Sequence, residues 1–297
     1  MSQLLLADFI RDARRRLEAL YPSPEAEGLV SLLCGERLGV QRYTHILEPA
    51  TEIPAAQAAE LAGDLERLCA GEPIQYVLGV TEFCSHRFAV GPGVLIPRPE
   101  TELLVAEAVR TLREMDLERA PRVLDLCTGS GCIAWSIALE IRDAEVIGVD
   151  LSETALEYAR NQFGGRSSSA DLIGGSPIFL QTDILDTEQT FDGGPFDVIV
   201  SNPPYVMERE RALMRPNVLD WEPAGALFVP DDDPLVFYRA IARWGQHFLR
   251  PGGVGLVEIN EALGPETAAL LRGAGYRNVQ ILPDFFKKDR FIRFSVS

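Results

Sequence analysis

The sequence predicts an α/β protein. A doubly wound sheet domain spans residues 100–297, preceded by a small helical domain at 1–78 and a β-hairpin linker at 79–99. Three observations carry this prediction. From Glu100 onward, short β-branched runs alternate with segments of helical period, the pattern of a largely parallel sheet covered by helices on both faces. Before residue 78 the apolar residues recur only at helical spacing. Between these regions, two apolar runs flank Gly91-Pro92-Gly93.

Leu6, Phe9, Ile10, Ala13, Leu17 and Leu20 form the first helical stripe, which Pro22-Ser23-Pro24 terminates. Leu29, Val30, Leu32, Leu33 and Leu38 form a second. A third helix is expected from Pro54 to Ala70, with proline at its start and Gly71 just past its end. The runs 82–90 and 94–97 are read as the hairpin arms, with the turn at Gly91-Pro92-Gly93. A helix at 100–115 then leads into strand 122–126, a glycine-containing loop and a helix at 132–141. Strands are expected at 145–149, 178–181, 196–201, 254–259 and 290–296, with helices at 153–163, 234–249 and 264–273. The Gly/Ser-rich stretch 164–176 is read as a surface loop.

A chain of 297 residues accommodates two domains, and 46% apolar with 24% charged residues is the composition of a globular protein. The net charge of −16 disfavours a bare phosphate backbone as partner and suits a protein with a basic surface. Five cysteines without a C-x-x-C pair form neither a disulfide framework nor a zinc-ligand pattern. The opening residues, with acids and three consecutive arginines in an amphipathic pattern, are unlike a signal peptide. A reducing cytoplasm is expected.

Asn202-Pro203-Pro204-Tyr205 follows the apolar run 196–201, placing it at the carboxyl end of a buried strand, where open α/β sheets bind ligands. There an amide side chain beside a rigid backbone carbonyl and an aromatic ring can hold a planar NH2 group by both hydrogens. Taken alone, the tetrapeptide reads equally well as a Pro-Pro turn. Upstream, the loop Asp125 to Gly131 opens a helix after the first strand. Its glycines permit close backbone approach, and the helix start offers free N–H groups. Asp150 stands nineteen positions after Gly131, at the end of the next strand, where an acid accepts hydrogen bonds from ribose hydroxyls. Ile133-Ala134 replace the continuation of a dinucleotide fingerprint, which favours an adenosyl group over a pyrophosphate. Asp183 is read either as a partner of an adenine amino group or as a solvated loop acid. Arg98, Glu100, Thr101 and Glu102 are read either as a charged helix start or as a wall of the cofactor pocket. No general base stands out, because His45, His86 and His247 lie away from the strand ends.

Asp125 to Gly131 followed by Asn202 to Tyr205 resembles the amino-methyltransferases that use S-adenosylmethionine. Pro73-Ile74-Gln75-Tyr76, the segment Leu95 to Glu102, and Ser201 to Tyr205 are similar to the HemK/PrmC family, the methyltransferases of peptide chain release factors. Glu222-Pro223, Ala226-Leu227 and the segment from Pro234 to Tyr238 fit the same family. The resemblance implies a Rossmann-like methyltransferase domain behind a substrate-docking helical domain. It implies S-adenosyl-L-methionine as cofactor and the glutamine of a Gly-Gly-Gln motif in class I release factors as substrate. Nucleic acid and membrane are not expected partners. It further implies that Cys127, Thr128, Gly129, Ser130, Gly131, Asp150, Asp183, Ile184 and Asn202 serve the cofactor, and that Asn202, Pro203, Pro204 and Tyr205 bind the glutamine. Two departures stand out. Cys127 occupies a position where the family has glycine, so the backbone there is expected to avoid positive φ. Ile184 stands where the family commonly has tryptophan. Two competing functions are an adenine amino-methyltransferase and a non-catalytic cofactor-binding docking module. The acidic charge weighs against the first, and the intact motif set against the second.

The expected chemistry is positional. A carboxamide nitrogen is a poor nucleophile because its lone pair is delocalised. Two acceptors, the Asn202 side-chain oxygen and the Pro203 carbonyl, would favour charge developing on that nitrogen. Proline at 203 and 204 would hold them in place beforehand, and Tyr205 would pack on the amide plane.

Overall fold

The computed structural model describes residues 4–141, 143–164, 175–188, 191 and 193–297; most of the 164–176 stretch lies outside them. The chain forms two compact units, one of Met1–Val80 with Arg215–Trp221, the other of Thr81–Met214 with Glu222–Ser297.

The first unit is built on α1 (Leu6–Leu17), α2 (Ser23–Leu38), α3 (Ala55–Cys69) and α4 (Ile74–Leu78). Leu6, Phe9, Ala13 and Leu17 of α1 pack with Val30, Leu33, Leu61, Leu65 and Leu68, with Ile10, Leu29 and Leu38 partly buried against them, so most of the predicted stripes face the core. Leu20 and Leu32 are the exceptions, at 54% and 45% exposure. Two arginines finish α4: Arg37 donates to the Val77 carbonyl (3.0 Å) and Arg67 to the Tyr76 carbonyl (3.1 Å), satisfying groups a helix end leaves free. Asp64 and Glu72, both buried, hold the same arginines. The segment 215–221 returns to this unit, with Arg215 bonded to Glu25 at 2.5 Å.

A hairpin of β1 (Val80–Phe83) and β2 (His86–Ala89) follows, all but Val80 of it in the second unit. This corrects the predicted turn. The chain reverses at Cys84-Ser85, whose φ values of 48° and 61° make the twisted two-residue turn that hairpins favour. Gly91-Pro92-Gly93 is itself a turn, with Gly93 at φ 93° and the Val94 amide donating to the Gly91 carbonyl at 3.3 Å, but the run 94–97 that follows it is not a strand; crowding adds to the demand for glycine there. A Cβ on Gly91 would lie 2.2 Å from the Tyr158 hydroxyl, and one on Gly93 2.9 Å from Thr154. Phe83 and Phe88 belong to the sheet domain's core.

The helix predicted at 100–115 is α5 (Glu102–Glu114), entered through a 3-10 turn at Pro99–Thr101. There follow β3 (Arg122–Leu126), α6 (Cys132–Glu140), β4 (Glu145–Asp150), α7 (Glu153–Asn161), β5 (Ile178–Gln181), β6 (Phe196–Ser201), α8 (Val236–Phe248), β7 (Leu249–Glu258), α9 (Gly264–Gly273), β8 (Arg277–Pro283) and β9 (Asp289–Ser295). The seven-stranded sheet runs β8-β9-β7-β6-β3-β4-β5. β7, β6, β3, β4 and β5 are parallel, and β9 is antiparallel to both neighbours. Strand β8 was not expected. Its ladder is interrupted between Arg277 and Gln280 and again at Pro283, and Asn278 has φ 51°, leaving too short an alternating run to signal a strand.

Side chains alternate across the sheet as strand geometry requires. Val123, Val198 and Val200 join α5, α6 and α7 on one face, while Leu124, Ile199 and Val257 join α8 and α9 on the other. Every residue of β6 is buried, so the continuous apolar run 196–201 reflects a strand covered on both faces. Among the described residues no helix is long and apolar enough to cross a membrane.

Candidate active site

The carboxyl ends of β3, β4 and β6 converge on one cavity of the second unit. Its floor is the turn after β3. Asp125 is fully buried there and accepts the Thr128 hydroxyl at 2.6 Å, while the Thr128 amide donates to the Val149 carbonyl at 3.0 Å, tying the turn to β4. Burial pushes the Asp125 carboxyl up to about 7, against the Thr128 hydrogen bond. Gly129 and Gly131 have φ of 57° and 77°. A Cβ on Gly131 would sit 2.9 Å from both Ala159 and Phe179, so glycine is demanded twice, by conformation and by helix–sheet contact.

Cys127 contradicts the expectation that it avoids positive φ, since it stands at 59°. The reverse turn required between β3 and Gly129 overrides the intrinsic preference of an L-residue, at about 1–2 kcal/mol.

Asp150 ends β4 with each oxygen accepting one backbone N–H, Gly129 at 2.8 Å and Ser152 at 2.9 Å. The carboxylate is thereby fixed at the rim with lone pairs to spare. Burial raises its pKa, opposed by those amides.

The cavity measures about 360 Å³, and Cys127, Gly129, Asp150, Asp183, Ile184, Asn202 and Pro204 line it. Thr128, Ser130 and Gly131 do not. Thr128 and Ser130 are buried beneath the turn and Gly131 packs on α7, which narrows the set expected to face the cavity. Ile184, 4% exposed, forms an apolar wall held from behind, its carbonyl accepting the Trp244 indole N–H at 3.1 Å. Asp183 accepts the Leu185 amide at 2.8 Å, which shapes the turn. Sequence reasoning did not assign to this cavity several further parts of its wall, among them Gly93 to Leu95, Leu151-Ser152, Pro223 to Ala226 and Phe237.

Asn202 lies two strand spacings from Asp150 in the sheet order, about 10 Å. The Ser201 hydroxyl donates to the Leu126 carbonyl at 2.7 Å, so the ends of β6 and β3 are locked where Asn202 begins. The Asn202 Nδ2 donates to Thr101 Oγ1 at 3.2 Å, and the Thr101 hydroxyl donates to Glu258 Oε2 at 2.7 Å. Tyr205 donates to Glu258 Oε1 at 2.9 Å, and its own carbonyl accepts Asn260 Nδ2 at 3.1 Å. Pro203 and Tyr205 line a small adjoining cavity of about 40 Å³ with Leu95, Arg98 and Asn202.

The open readings of 98–102 thus separate. Arg98 pairs with buried Glu222 at 2.6 Å, whose other oxygen accepts the Ile96 amide at 3.0 Å. Thr101 touches Asn202, and Glu102 accepts the Cys84 amide at 3.1 Å. Glu258 and Asn260 escaped sequence reasoning, and Glu222 was noted there only as part of the family pattern, with no role. The available signal for Glu258 was an acid ending an otherwise apolar run, Val254 to Ile259.

Residues 8–79 match a family model described as the PrmC N-terminal domain, and residues 117–232 match one described as a methyltransferase domain. A release factor glutamine methyltransferase of Bacteroides thetaiotaomicron is 42% identical over 279 residues, covering 94% of this chain and 96% of that protein. The chain belongs to the release factor glutamine methyltransferase family. Members so named from Flavobacterium psychrophilum and Chlorobaculum tepidum are 34% and 36% identical. They cover 98% and 87% of this chain and 99% and 86% of their own lengths.

In this release factor glutamine methyltransferase family member the histidines stand apart from both cavities. His86 meets Phe163 edge-on and His247 meets Phe248 edge-on. The ionisable groups at the amide end are Arg98, paired with Glu222, and Tyr205, paired with Glu258. Burial raises the pKa of Tyr205 and of Glu258, and their mutual contact raises the tyrosine further.

Proposed function

We propose that this chain transfers the methyl group of S-adenosyl-L-methionine to the side-chain amide nitrogen of the glutamine in the Gly-Gly-Gln motif of class I release factors. The observation that carries this reading is the orientation of Asn202. Its NH2 end is taken up by Thr101, which leaves Oδ1 without a protein donor among the described residues, on the wall shared by both cavities. An acceptor so placed, next to the Pro203 carbonyl, suits a group offering two N–H hydrogens. The carboxamide of glutamine is such a group.

The larger cavity fits the cofactor by size and by donor set. Its volume falls within the ~300–1,000 Å³ range of small-molecule sites. Asp150 offers carboxylate lone pairs for the ribose hydroxyls, Ile184 and Phe237 offer apolar surface for the purine, and Gly129 leaves the backbone uncovered. When bound, the cofactor supplies an electrophilic methyl group on a sulfonium. The protein's part is to hold the amide plane and align its nitrogen, so that developing charge is met by acceptors already in position. Pro203 and Pro204 keep those acceptors from relaxing. Tyr205 is held by Glu258 and bounds the small cavity at its ring, consistent with a wall for the amide plane.

We read the helical region 1–78 as the part that docks the protein substrate. In support, Tyr43, Ile46 and Leu47 are 56%, 64% and 78% exposed there, apolar surface the unit's own core does not use. The net charge of −16 and the cysteines, all free, agree with a cytoplasmic enzyme that does not bind nucleic acid.

The test is transfer of labelled methyl from S-adenosyl-L-methionine. Label is expected in a release factor, and in neither its Gln-to-Ala variant nor duplex DNA. Label in DNA would favour an adenine amino-methyltransferase.

A further inference from the structure

We propose that Glu258 is a positioning residue that decides which end of the Asn202 amide faces the substrate, acting through the hydroxyl of Thr101. The inference rests on the glutamine-methylating reading above and names how its central residue is oriented.

The two ends of an Asn side chain have nearly the same shape and opposite hydrogen-bonding character, so packing alone does not select one. A threonine neighbour does not select one either, because a hydroxyl both donates and accepts. The selection has to come from a group with a single polarity. Glu258, 1% exposed at the carboxyl end of β7, is that group. As a carboxylate it only accepts. Its Oε2 takes the one hydroxyl hydrogen of Thr101 at 2.7 Å, and its Oε1 takes that of Tyr205 at 2.9 Å. With its hydrogen committed, Thr101 Oγ1 can only accept, and the group meeting it at 3.2 Å must be the Asn202 NH2. Oδ1 is therefore turned toward the cavities.

A hydrogen placed on the residue-258 side chain reverses the chain of logic. The neutral group can donate to Thr101 Oγ1, the threonine hydroxyl is released to donate to Asn202 Oδ1, and the amide can turn so that donors face the substrate's own donors. That arrangement leaves a buried polar group unsatisfied in the complex.

The charged groups facing Glu258 come from several elements. Arg290 on β9 favours its ionised form and Glu100 in the 3-10 turn opposes it; Tyr205 donates to the carboxylate and Tyr238 of α8 donates to the Glu258 backbone carbonyl at 3.1 Å. Burial outweighs the favourable contacts and lifts the pKa above that of an ordinary glutamate. Since the ionised form orients Asn202, activity should fall on acidification at a pH above the usual glutamate range.

The test uses the full chain with Glu258→Gln, which keeps shape and replaces an acceptor by a donor. Turnover should drop by about 100-fold, the scale of losing one preorganised polar contact in a catalytic site. KM for the release factor and the Kd for S-adenosyl-L-methionine should each stay within about threefold. Thr101→Val should lose as much, Thr101→Ser should recover to within about threefold of the parent, and combining Glu258→Gln with Thr101→Val should cost no more than either alone. The acid limb of the parent's pH profile should vanish from the residual activity of Glu258→Gln. Turnover of Glu258→Gln within threefold of the parent, or losses that multiply in the double variant, would overturn the proposal. If Glu258→Gln does not fold, Thr101→Val decides in its place. The functional reading is tested separately, by whether the parent labels a release factor and spares its Gln-to-Ala variant.

Discussion

The Asp150 end of the cavity is made of backbone, and the Asn202 end is made of side chains. Around Asp150 the determining contacts are backbone amide N–H groups, from Ser152 two residues on and from Gly129 21 residues before it, the latter on a turn whose glycines are required by φ and by crowding. Around Asn202 the contacts are hydroxyl and carboxyl groups drawn from sites 101 and 157 residues apart. A backbone-built end tolerates changes of side chain that keep the turn, whereas a side-chain relay fails when one polarity is reversed. Affinity for the cofactor and rate of transfer should accordingly respond to different substitutions.

The sharpest break is Asn202→Ala. It should lower turnover by about 10²–10³-fold, as loss of a preorganised contact to developing charge does elsewhere, while the cofactor Kd measured by calorimetry stays within about tenfold. Equal losses in both would erase the distinction between the two ends. Asp150→Ala should do the converse. Its cofactor Kd should weaken by about 10–100-fold, the size of one to two lost charged hydrogen bonds, with turnover at saturating cofactor close to the parent. A turnover defect at saturation would show that Asp150 also aligns the reacting groups.

A third test concerns the support beneath the turn. The Asp125 carboxyl titrates at about 7 in the folded chain against 3.8 for a free one. A folded pKa above the unfolded one means that its contribution to stability is complete below pH 4 and is lost as pH rises through 7. Asp125→Asn should flatten the dependence of the urea midpoint on pH between 4 and 7. An unchanged slope would place its source elsewhere. The smallest effect belongs to Cys127→Gly. Relief of positive-φ strain, about 1–2 kcal/mol, opposes the unfolded-state entropy of glycine, about 0.5–1 kcal/mol. Thermal unfolding should shift by no more than a few degrees and the cofactor Kd should hold within about threefold. A larger loss would mean that the Cys127 side chain itself supports the cavity.

The two ends also differed in how readable they were. Gly129, Gly131 and Asp150 announce themselves by spacing, because a turn after a strand and an acid at the end of the next strand are consequences of local geometry. The strands at 122–126 and 196–201 were equally visible, their apolar runs being what burial on both faces selects, and the edge strand at 178–181 was read from its short apolar run although Ile178 is exposed. The hairpin was misread because its turn uses Cys84-Ser85 at positive φ, while the Gly91-Pro92-Gly93 turn nearby, with Gly93 at φ 93°, leads into a run that is not a strand. Strand β8 was missed because interruptions in its ladder left no period to detect.

The alternation that builds the sheet, the turn that opens toward a nucleoside, and the presence of an amide at the end of the central strand are written in the amino-acid sequence. Those properties depend on residues within a few positions of one another. Which way that amide points was decided only by the tertiary structure. The polarity is handed on from Glu258 through Thr101, and a buried carboxylate can dictate hydrogen-bond direction only once folding has removed the water that would otherwise satisfy every partner.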